Sequence, residues 1–429
     1  MWRSAACAAA RGLHGTQLRR ATTSGYYSEA STPDRTTVAS GNRKELKTDF
    51  VQTLHTHIQA SGYLSLTQFM KECLTHPDYG YYSTKKSVIG TERADFLTAA
   101  EIPLFGDIVC GWIIDTWQKM GTPRAVHLVE VGPGKGTLMR NVLRQVKHTQ
   151  PQLLNFLTVH LCEVGEARRE EQRKTLSEFQ TAQGRIKWVN SFDDFRPVPG
   201  QATIFLANEW LDALPIMRFT QTEERGLVET VLEIDDEPHT VPHFRYVHAP
   251  GQNWNRYLIP EDITDGSKFP LGDGSVEICS HGMAAMESLA TKLHTAGKGA
   301  ALLIDYGKDE HMSSTLRGIR GHKFVDPLLS PGDVDLSAWV SFKQLKWALS
   351  RLPLARQTLK WHGPMSQADF LEWNGIDVRL ASAIKSMETK QAQRLKQNFL
   401  RLMDPKEMGI TYQVMAVQTN NFATVAPWF

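Results

Sequence analysis

Three glycines, Gly132, Gly134 and Gly136, punctuate the run Leu128-Val129-Glu130-Val131-Gly132-Pro133-Gly134-Lys135-Gly136-Thr137. Glycine is required where a backbone turns at positive φ and where a ligand must come close to the main chain. An apolar strand before the loop and a helix after it would make Gly132 to Thr137, Pro133 included, a ligand seat at a strand's carboxyl end. A dinucleotide loop reads G-x-G-x-x-G and sets a pyrophosphate on the helix N-terminus. Here the third glycine comes one residue early, and Glu130 is expected to aim a carboxylate into the seat. A carboxylate repels pyrophosphate and attracts a cation, and the sulfonium and ammonium of S-adenosylmethionine fit that field. Glu163 follows the next apolar stretch, Leu157 to Cys162, where a strand-end acid can accept both hydroxyl protons of a ribose. The plainer reading of the glycines is a tight ligand-free turn.

A second cluster follows another apolar run. After Ala202 to Ala207 come Asn208, Glu209 and Asp212. Two carboxylates beside a methyl donor suit a guanidinium, a planar fork that pairs with carboxylates and must shed a proton as it accepts a methyl. The plainer reading is a helix start: Asn208 as cap, with Glu209 and Asp212 on one face of the first turn. Asp305-Tyr306-Gly307 ends a later apolar run and could reach the same edge.

Positioning these groups requires strands that end together. Short apolar strands are expected at 125–131, 157–162, 186–189, 202–207 and 300–305, with helices between them, from about 137 to 146, from Glu166 and from 283 to 293. Strands alternating with helices argue for an α/β fold with a parallel sheet covered on both faces. Helices are expected earlier, at 42–60 through Leu46, Phe50, Leu54 and Ile58, and from a Ser65 cap through Leu74. A third should run from Phe105 to Met120. Runs near 227–234 and 243–247 read as an antiparallel insertion, 339–352 and 381–402 as late helices, and 412–417 as a last strand. The implied division is 1–41 as leader and linker, 42–121 as an N-terminal helical region, and 122–429 as the core, with an insertion near 225–250 and a helical lobe near 335–405.

Of 429 residues, 41% are hydrophobic and 22% charged, at a net charge of +2. That composition supports a large core and no broad nucleic-acid surface. Cys7, Cys73, Cys110, Cys162 and Cys279 include no C-x-x-C pair, so reduced thiols are expected, without a zinc site or disulfide framework. No apolar run approaches the ~18 residues of a membrane span. Arg3, Arg11, Arg19 and Arg20 precede the first acid, Glu29, in a stretch rich in alanine, serine and threonine, which reads as a mitochondrial transit peptide.

Taken together, several motifs resemble the MidA family, the mitochondrial complex I assembly protein-arginine methyltransferases of the assembly factor 7 type. They are Gly62-Tyr63-Leu64, Pro77 to Tyr82, Asp95-Phe96-Leu97-Thr98 with Glu101-Ile102, Val129 to Leu138, Ala207 to Pro215, Asp305-Tyr306-Gly307, Asp333 to Leu336 and Asn374 to Arg379. The resemblance implies a Rossmann-like methyltransferase core, S-adenosylmethionine as cofactor, no metal and a home in the mitochondrial matrix. It implies an arginine of a core complex I subunit as acceptor and symmetric dimethylation as product. It puts Asp95, Thr98 and Glu101 near the substrate, Asn208, Glu209 and Asp212 at the reaction, and Glu130, Gly132, Pro133, Gly134, Gly136, Thr137 and Glu163 at the cofactor. This chain departs from the family's Gly-Asp-Phe-x-Thr-Ser-Pro-Glu at Ala94 and at Ala99-Ala100, and lacks one residue before Pro103. Two rival readings are a dinucleotide oxidoreductase and an assembly chaperone that kept the fold without the chemistry.

Overall fold

In the computed structural model the described residues are 48–84, 98–180, 184–235, 243–251, 254–264, 273–321, 323–385 and 387–427. The leader and Asp95 lie outside them. Helices α1 (Thr48–Ser61) and α2 (Leu66–Thr75) come first, and the Ser65 side chain caps α2 by accepting from the Gln68 N–H, as its residue type led one to expect. Next comes α3 (Pro103–Lys119), with proline in its first turn and buried side chains on nearly every face. A helix apolar all round belongs in a core, and burial of each large side chain such as Phe105 or Ile108 contributes about 1.5–3 kcal/mol.

Strand β1 (Val126–Val131) leads through the glycine loop to α4 (Thr137–Thr149), then β2 (Leu157–Cys162), α5 (Glu166–Thr175), β3 (Ile186–Val189) and β4 (Ala202–Asn208). An excursion follows: β5 (Met217–Thr222), β6 (Gly226–Ile234), β7 (Phe244–His248) and β8 (Ser275–Ile278). Helix α6 (Ser280–Ala296) returns the chain to β9 (Gly299–Lys308). A small sheet of β10 (Arg317–Arg320), β11 (Lys323–Val325) and β12 (Asp335–Ser337) precedes α7 (Phe342–Arg351). The chain closes with β13 (Leu359–Ser366), α8 (Gln367–Trp373), α9 (Ile376–Ile384), α10 (Thr389–Met403) and β14 (Tyr412–Thr419).

The central sheet has the order β13-β14-β9-β4-β1-β2-β3. The five strands from β9 to β3 are parallel, β14 is antiparallel to β9, and β13 is antiparallel to β14. Its side chains divide by the two-residue period of a strand. Leu128, Ile204, Leu206, Leu302, Ile304 and Val414 join a core with α3 and α4. Val129, Val131, Phe205, Ala207, Leu303 and Met415 join one with α6 and α7. Helix α3 can lie close to α4 because Gly106 has no Cβ; one placed there would stand 2.6 Å from Asn141 Cβ.

The expected antiparallel pair is part of a larger sheet. β6 and β7 pair with each other and join β5, β8 and the two-residue strand Leu64–Ser65. Phe50, Leu54, Phe69, Leu232, Phe244 and Val334 therefore share one core, which ties the first helices to the insertion. The expected helix 381–402 is two helices, because Glu388 adopts an extended backbone between α9 and α10. Helical spacing on both sides concealed that break. The expected helix at 339–352 begins later, at Phe342, where the Ser341 side chain caps it, and Val340–Ser341 pair with β9 instead.

Candidate active site

Strands β1, β2, β4 and β9 run parallel, so their carboxyl ends meet at one edge. At the end of β1 the glycines take the left-handed backbone that the spacing suggested: φ is +66° at Gly132, +51° at Gly134 and +79° at Gly136. A Cβ on Gly132 would stand 2.9 Å from Trp210 Cδ1, so only glycine fits between the loop and the segment after β4. The Gly136 N–H donates to the Pro133 carbonyl at 2.7 Å, and Thr137 opens α4. Its orphan amides and positive dipole end therefore point at this edge.

Glu130 lies just inside the end of β1, 3% exposed, and its Oε2 has no hydrogen-bond partner. Burial pushes its pKa up to about 8. An orphaned buried carboxylate is costly without a counter-charge, and a cationic ligand would supply one. Glu163, half-buried after β2, accepts from the Gly165 N–H at 2.8 Å. Burial raises its pKa against that bond and the Arg168 charge.

Gln172, which the sequence did not single out, links both regions. Its Nε2 donates to the Gly134 carbonyl at 2.8 Å and reaches Glu163 Oε2 at 3.5 Å, while its Oε1 accepts from Trp188 Nε1 at 2.8 Å. It is fully buried. The only hint was an amide in the charged run Glu166-Ala167-Arg168-Arg169-Glu170-Glu171-Gln172.

The segment after β4 is not the helix start that capping residues suggested. Asn208 is the last residue of β4, and residues 209–214 form bends and turns. Asp305 explains why. Its Oδ2 accepts from the N–H groups of Trp210, Leu211 and Asp212 at 3.1, 2.8 and 3.2 Å. One carboxylate oxygen thus gathers three amides into an anion-binding nest, and the chain has no need of helical bonds there. Asp305 is fully buried and holds backbone rather than facing a ligand. Glu209 pays in local strain, with φ +51° on a non-glycine residue, of order 1–3 kcal/mol.

That strain aims Glu209 back at the edge. Its Oε1 accepts from the Ala99 N–H at 3.0 Å and from Asn208 Nδ2 at 3.2 Å, and its Oε2 faces the Tyr412 hydroxyl at 3.4 Å. Burial lifts its pKa to about 7, partly countered by the Ala99 N–H. Asp212 accepts a short hydrogen bond from the Tyr306 hydroxyl. Burial raises its pKa too, opposed by that bond and by the Arg317 charge. Tyr306 and Tyr412 sit opposite each other in the β9–β14 register, their rings 5.5 Å apart. Tyr306 stands in a motif the sequence singled out; Tyr412 carried no local signal, being 203 residues from Glu209.

The turn from Ala99 to Glu101 reaches the edge through Glu209 and Thr137. Glu101 accepts from the Thr137 hydroxyl at 3.0 Å, so it sits at the glycine loop as well as beside the residues expected near a substrate. Thr98 is 5% exposed with an unpartnered Oγ1, and Asn208 Oδ1 is likewise buried and unpartnered. Glu130, Thr98 and Asn208 thus bring three unsatisfied oxygens to one strand edge, a polar set fit for a cation and hydroxyl-bearing ligand. Among the described residues no group of three or more His, Cys, Asp or Glu side chains is arranged to hold a metal ion, and no helix is long and apolar enough to cross a membrane.

Residues 108–360 match a family model described as "Putative S-adenosyl-L-methionine-dependent methyltransferase". The chain is 33% identical over 390 residues to the mitochondrial protein arginine methyltransferase NDUFAF7 of Homo sapiens, covering 86% of this chain and 83% of that one. It is 32% identical to the protein of the same name from Danio rerio, with 89% of each chain covered. Among solved structures, a Burkholderia thailandensis protein bound to S-adenosyl-homocysteine aligns with a TM-score of 0.72 at 23% identity, over 89% of this chain and 95% of that one. That likeness extends the fold to nearly the whole of both chains.

Proposed function

This chain belongs to the S-adenosylmethionine-dependent methyltransferase family matched over residues 108–360, and from that premise we propose that its acceptor is an arginine side chain of a protein. The observation that carries the choice is the pair Glu209 and Asp212, each with a tyrosine hydroxyl on one carboxylate oxygen, at the strand edge where the glycine loop ends. Two carboxylates close enough for the charge of one to act on the other suit a planar guanidinium, which pairs with carboxylates through parallel N–H bonds. The relatives named protein arginine methyltransferases support the same reading.

When bound, S-adenosylmethionine supplies a methyl group on a cationic sulfur. Glu130 balances that end of the cofactor with a buried negative charge. Glu163 accepts from the ribose hydroxyls, Gly132 to Gly136 let the ligand approach the backbone, and Thr137 opens the helix beyond. Asn208 offers its free Oδ1 beside the reacting centre. Glu209 and Asp212 hold the acceptor guanidinium, and one of them takes the proton that its nitrogen loses as the methyl arrives. Glu209 suits that step because burial brings its pKa to about 7, near the pH at which a general base works best. Positioning and electrostatics supply the acceleration, without a covalent intermediate.

The proposal extends to symmetric dimethylation of a core complex I subunit in the mitochondrial matrix, in support of complex I assembly, with residues 1–41 as the leader and Thr98 and Glu101, together with Asp95, on the substrate side. Mass spectrometry of mitochondrial protein from cells with and without this chain tests it. The expected result is one or a few dimethylarginines lost from a complex I subunit, their symmetry read from fragmentation. Unchanged arginine methylation, or methyl lost from another residue type, would refute the acceptor assignment.

A further inference from the structure

Arg317, at the start of β10, is a cation whose charge reaches Asp212. Its guanidinium carbon lies 4.8 Å from the centre of the Tyr306 ring, 4.9 Å from Phe324 and 5.9 Å from Trp339. Tyr306 is the same residue whose hydroxyl bonds Asp212. Arg317 Nε is buried with no hydrogen-bond partner, and among the described residues the side chain forms no ion pair within 4 Å. Its charge still acts on Asp212, Tyr306 and Tyr412. A cation placed only to neutralise Asp212 would close a bidentate pair with it. This one is held by aromatic faces, which bind a flat guanidinium through stacking and the ring quadrupole. One wall of the box, Phe324, is 64% exposed, so the seat opens to solvent and to an arriving polypeptide.

We propose that Tyr306, Phe324 and Trp339, together with Asp212, form a guanidinium-recognition seat that the chain's own Arg317 fills until a substrate arginine displaces it. The proposal rests on the arginine-acceptor reading above and adds to it a resident competitor. An internal guanidinium keeps the desolvated carboxylate balanced while no substrate is present. It also sets an affinity threshold: a lysine ammonium, compact and without a stacking plane, exchanges poorly for the occupant, whereas an arginine replaces it like for like. Arg317 Nε has no hydrogen-bond partner among the described residues for the exchange to break.

The test is calorimetric titration of ethylguanidinium into the full-length chain saturated with S-adenosylhomocysteine. Arg317→Ala and Arg317→Gln, the latter keeping a polar side chain of similar reach should the smaller residue fail to fold, are expected to bind the probe at least tenfold more tightly than the wild type. Adding Asp212→Asn should remove that gain, and ethylammonium should bind at least tenfold more weakly. Equal affinity in the wild type and a folded Arg317 variant, or no binding to either folded variant, would overturn the seat. Because the readout needs no turnover, the two readings fail separately. A gain in binding with no methyl transfer to arginine would sink the acceptor assignment alone; arginine methylation without the gain would sink the seat alone.

Discussion

In the proposed site Glu130 faces the cationic end of the cofactor, which would make ligand affinity depend on pH. Burial pushes the Glu130 pKa up to about 8, and Oε2 has no hydrogen-bond partner among the described residues. A cationic cofactor end favours the ionised form, so binding below pH 8 must expel a proton. Affinity for S-adenosylmethionine is therefore expected to rise about tenfold per pH unit on the way up to about 8. Calorimetry across pH 6 to 8 should show that slope in the wild type and its loss in Glu130→Gln; equal slopes in both would remove Glu130 from the cofactor. Asp212 belongs to the acceptor half of the proposed site. Asp212→Ala deletes a partner of Tyr306 and leaves the glycine loop untouched, so it should bind cofactor nearly normally. Methyl transfer should fall about ten- to a hundredfold, the worth of a charge-assisted pair of roughly 1.5–3 kcal/mol. Full turnover per folded molecule with a lowered melting temperature would make Asp212 structural. That outcome can no longer be attributed to helix capping, since Asp305 rather than a helix organises its turn.

At the scale of elements, the glycine loop joins β1 to α4 through a backbone that an L side chain resists at three points. Gly134 sits at φ +51° and its carbonyl receives Gln172 from α5. Gly134→Val adds a branched side chain that disfavours that backbone and crowds the approach to the seat. Loss of S-adenosylmethionine binding with the fold retained is expected, read as a vanished thermal shift. The wild type at a hundredfold excess over Kd should gain roughly 2.7 kcal/mol from the ligand. A folded variant that keeps the full shift would reduce the loop to a turn. The segment after β4 teaches the opposite lesson. Its Asn-x-x-x-Asp composition suits a helix cap, yet the nest on Asp305 competes for the same amides and wins with three bonds.

Across the whole molecule, stability carries a pH signature from a site remote from the chemistry. His127 and His160, on adjacent strands, share a hydrogen bond of 2.9 Å, and His127 also reaches Gln201 at 2.8 Å. Burial lowers both pKa values, that of His160 to about 4. The unfolded chain therefore binds protons that the folded pair refuses. The pair's contribution is fully present above about pH 6.5 and fades as pH falls towards 4, by about 1.4 kcal/mol per unit for each proton taken up on unfolding. Glu130 and Glu209 act in the reverse sense, since their raised pKa values favour the folded state at low pH and cost stability as pH rises towards 7 and 8. Denaturant midpoints measured from pH 4.5 to 7 in wild type and His160→Leu isolate the His160 share: the variant should show a shallower acid-side decline, keeping the part that His127 contributes. Parallel curves would show that His160 titrates alike in the folded and unfolded states.

The α/β class, the parallel strands and the glycine loop were legible along the chain because each depends on neighbours within a dozen residues. A two-residue apolar period, a glycine at positive φ and a strand-end acid are local facts, and Glu130 and Glu163 followed from them. Individual strands escaped notice: β13, at the end of the central sheet, holds His362, Gly363 and Pro364 and shows no alternation, and β5 and β8 find their pattern only against each other. The site's second half was decided in space. Tyr412 meets Glu209 because β14 runs antiparallel to β9 and so starts where β9 ends. Gln172 matters because α5 lays it against both the loop and Glu163. Composition could name the carboxylates, but their orientation depends on which distant amides and hydroxyls reach them first. That is a competition among hydrogen-bond partners settled by strand order and register, which no local pattern encodes.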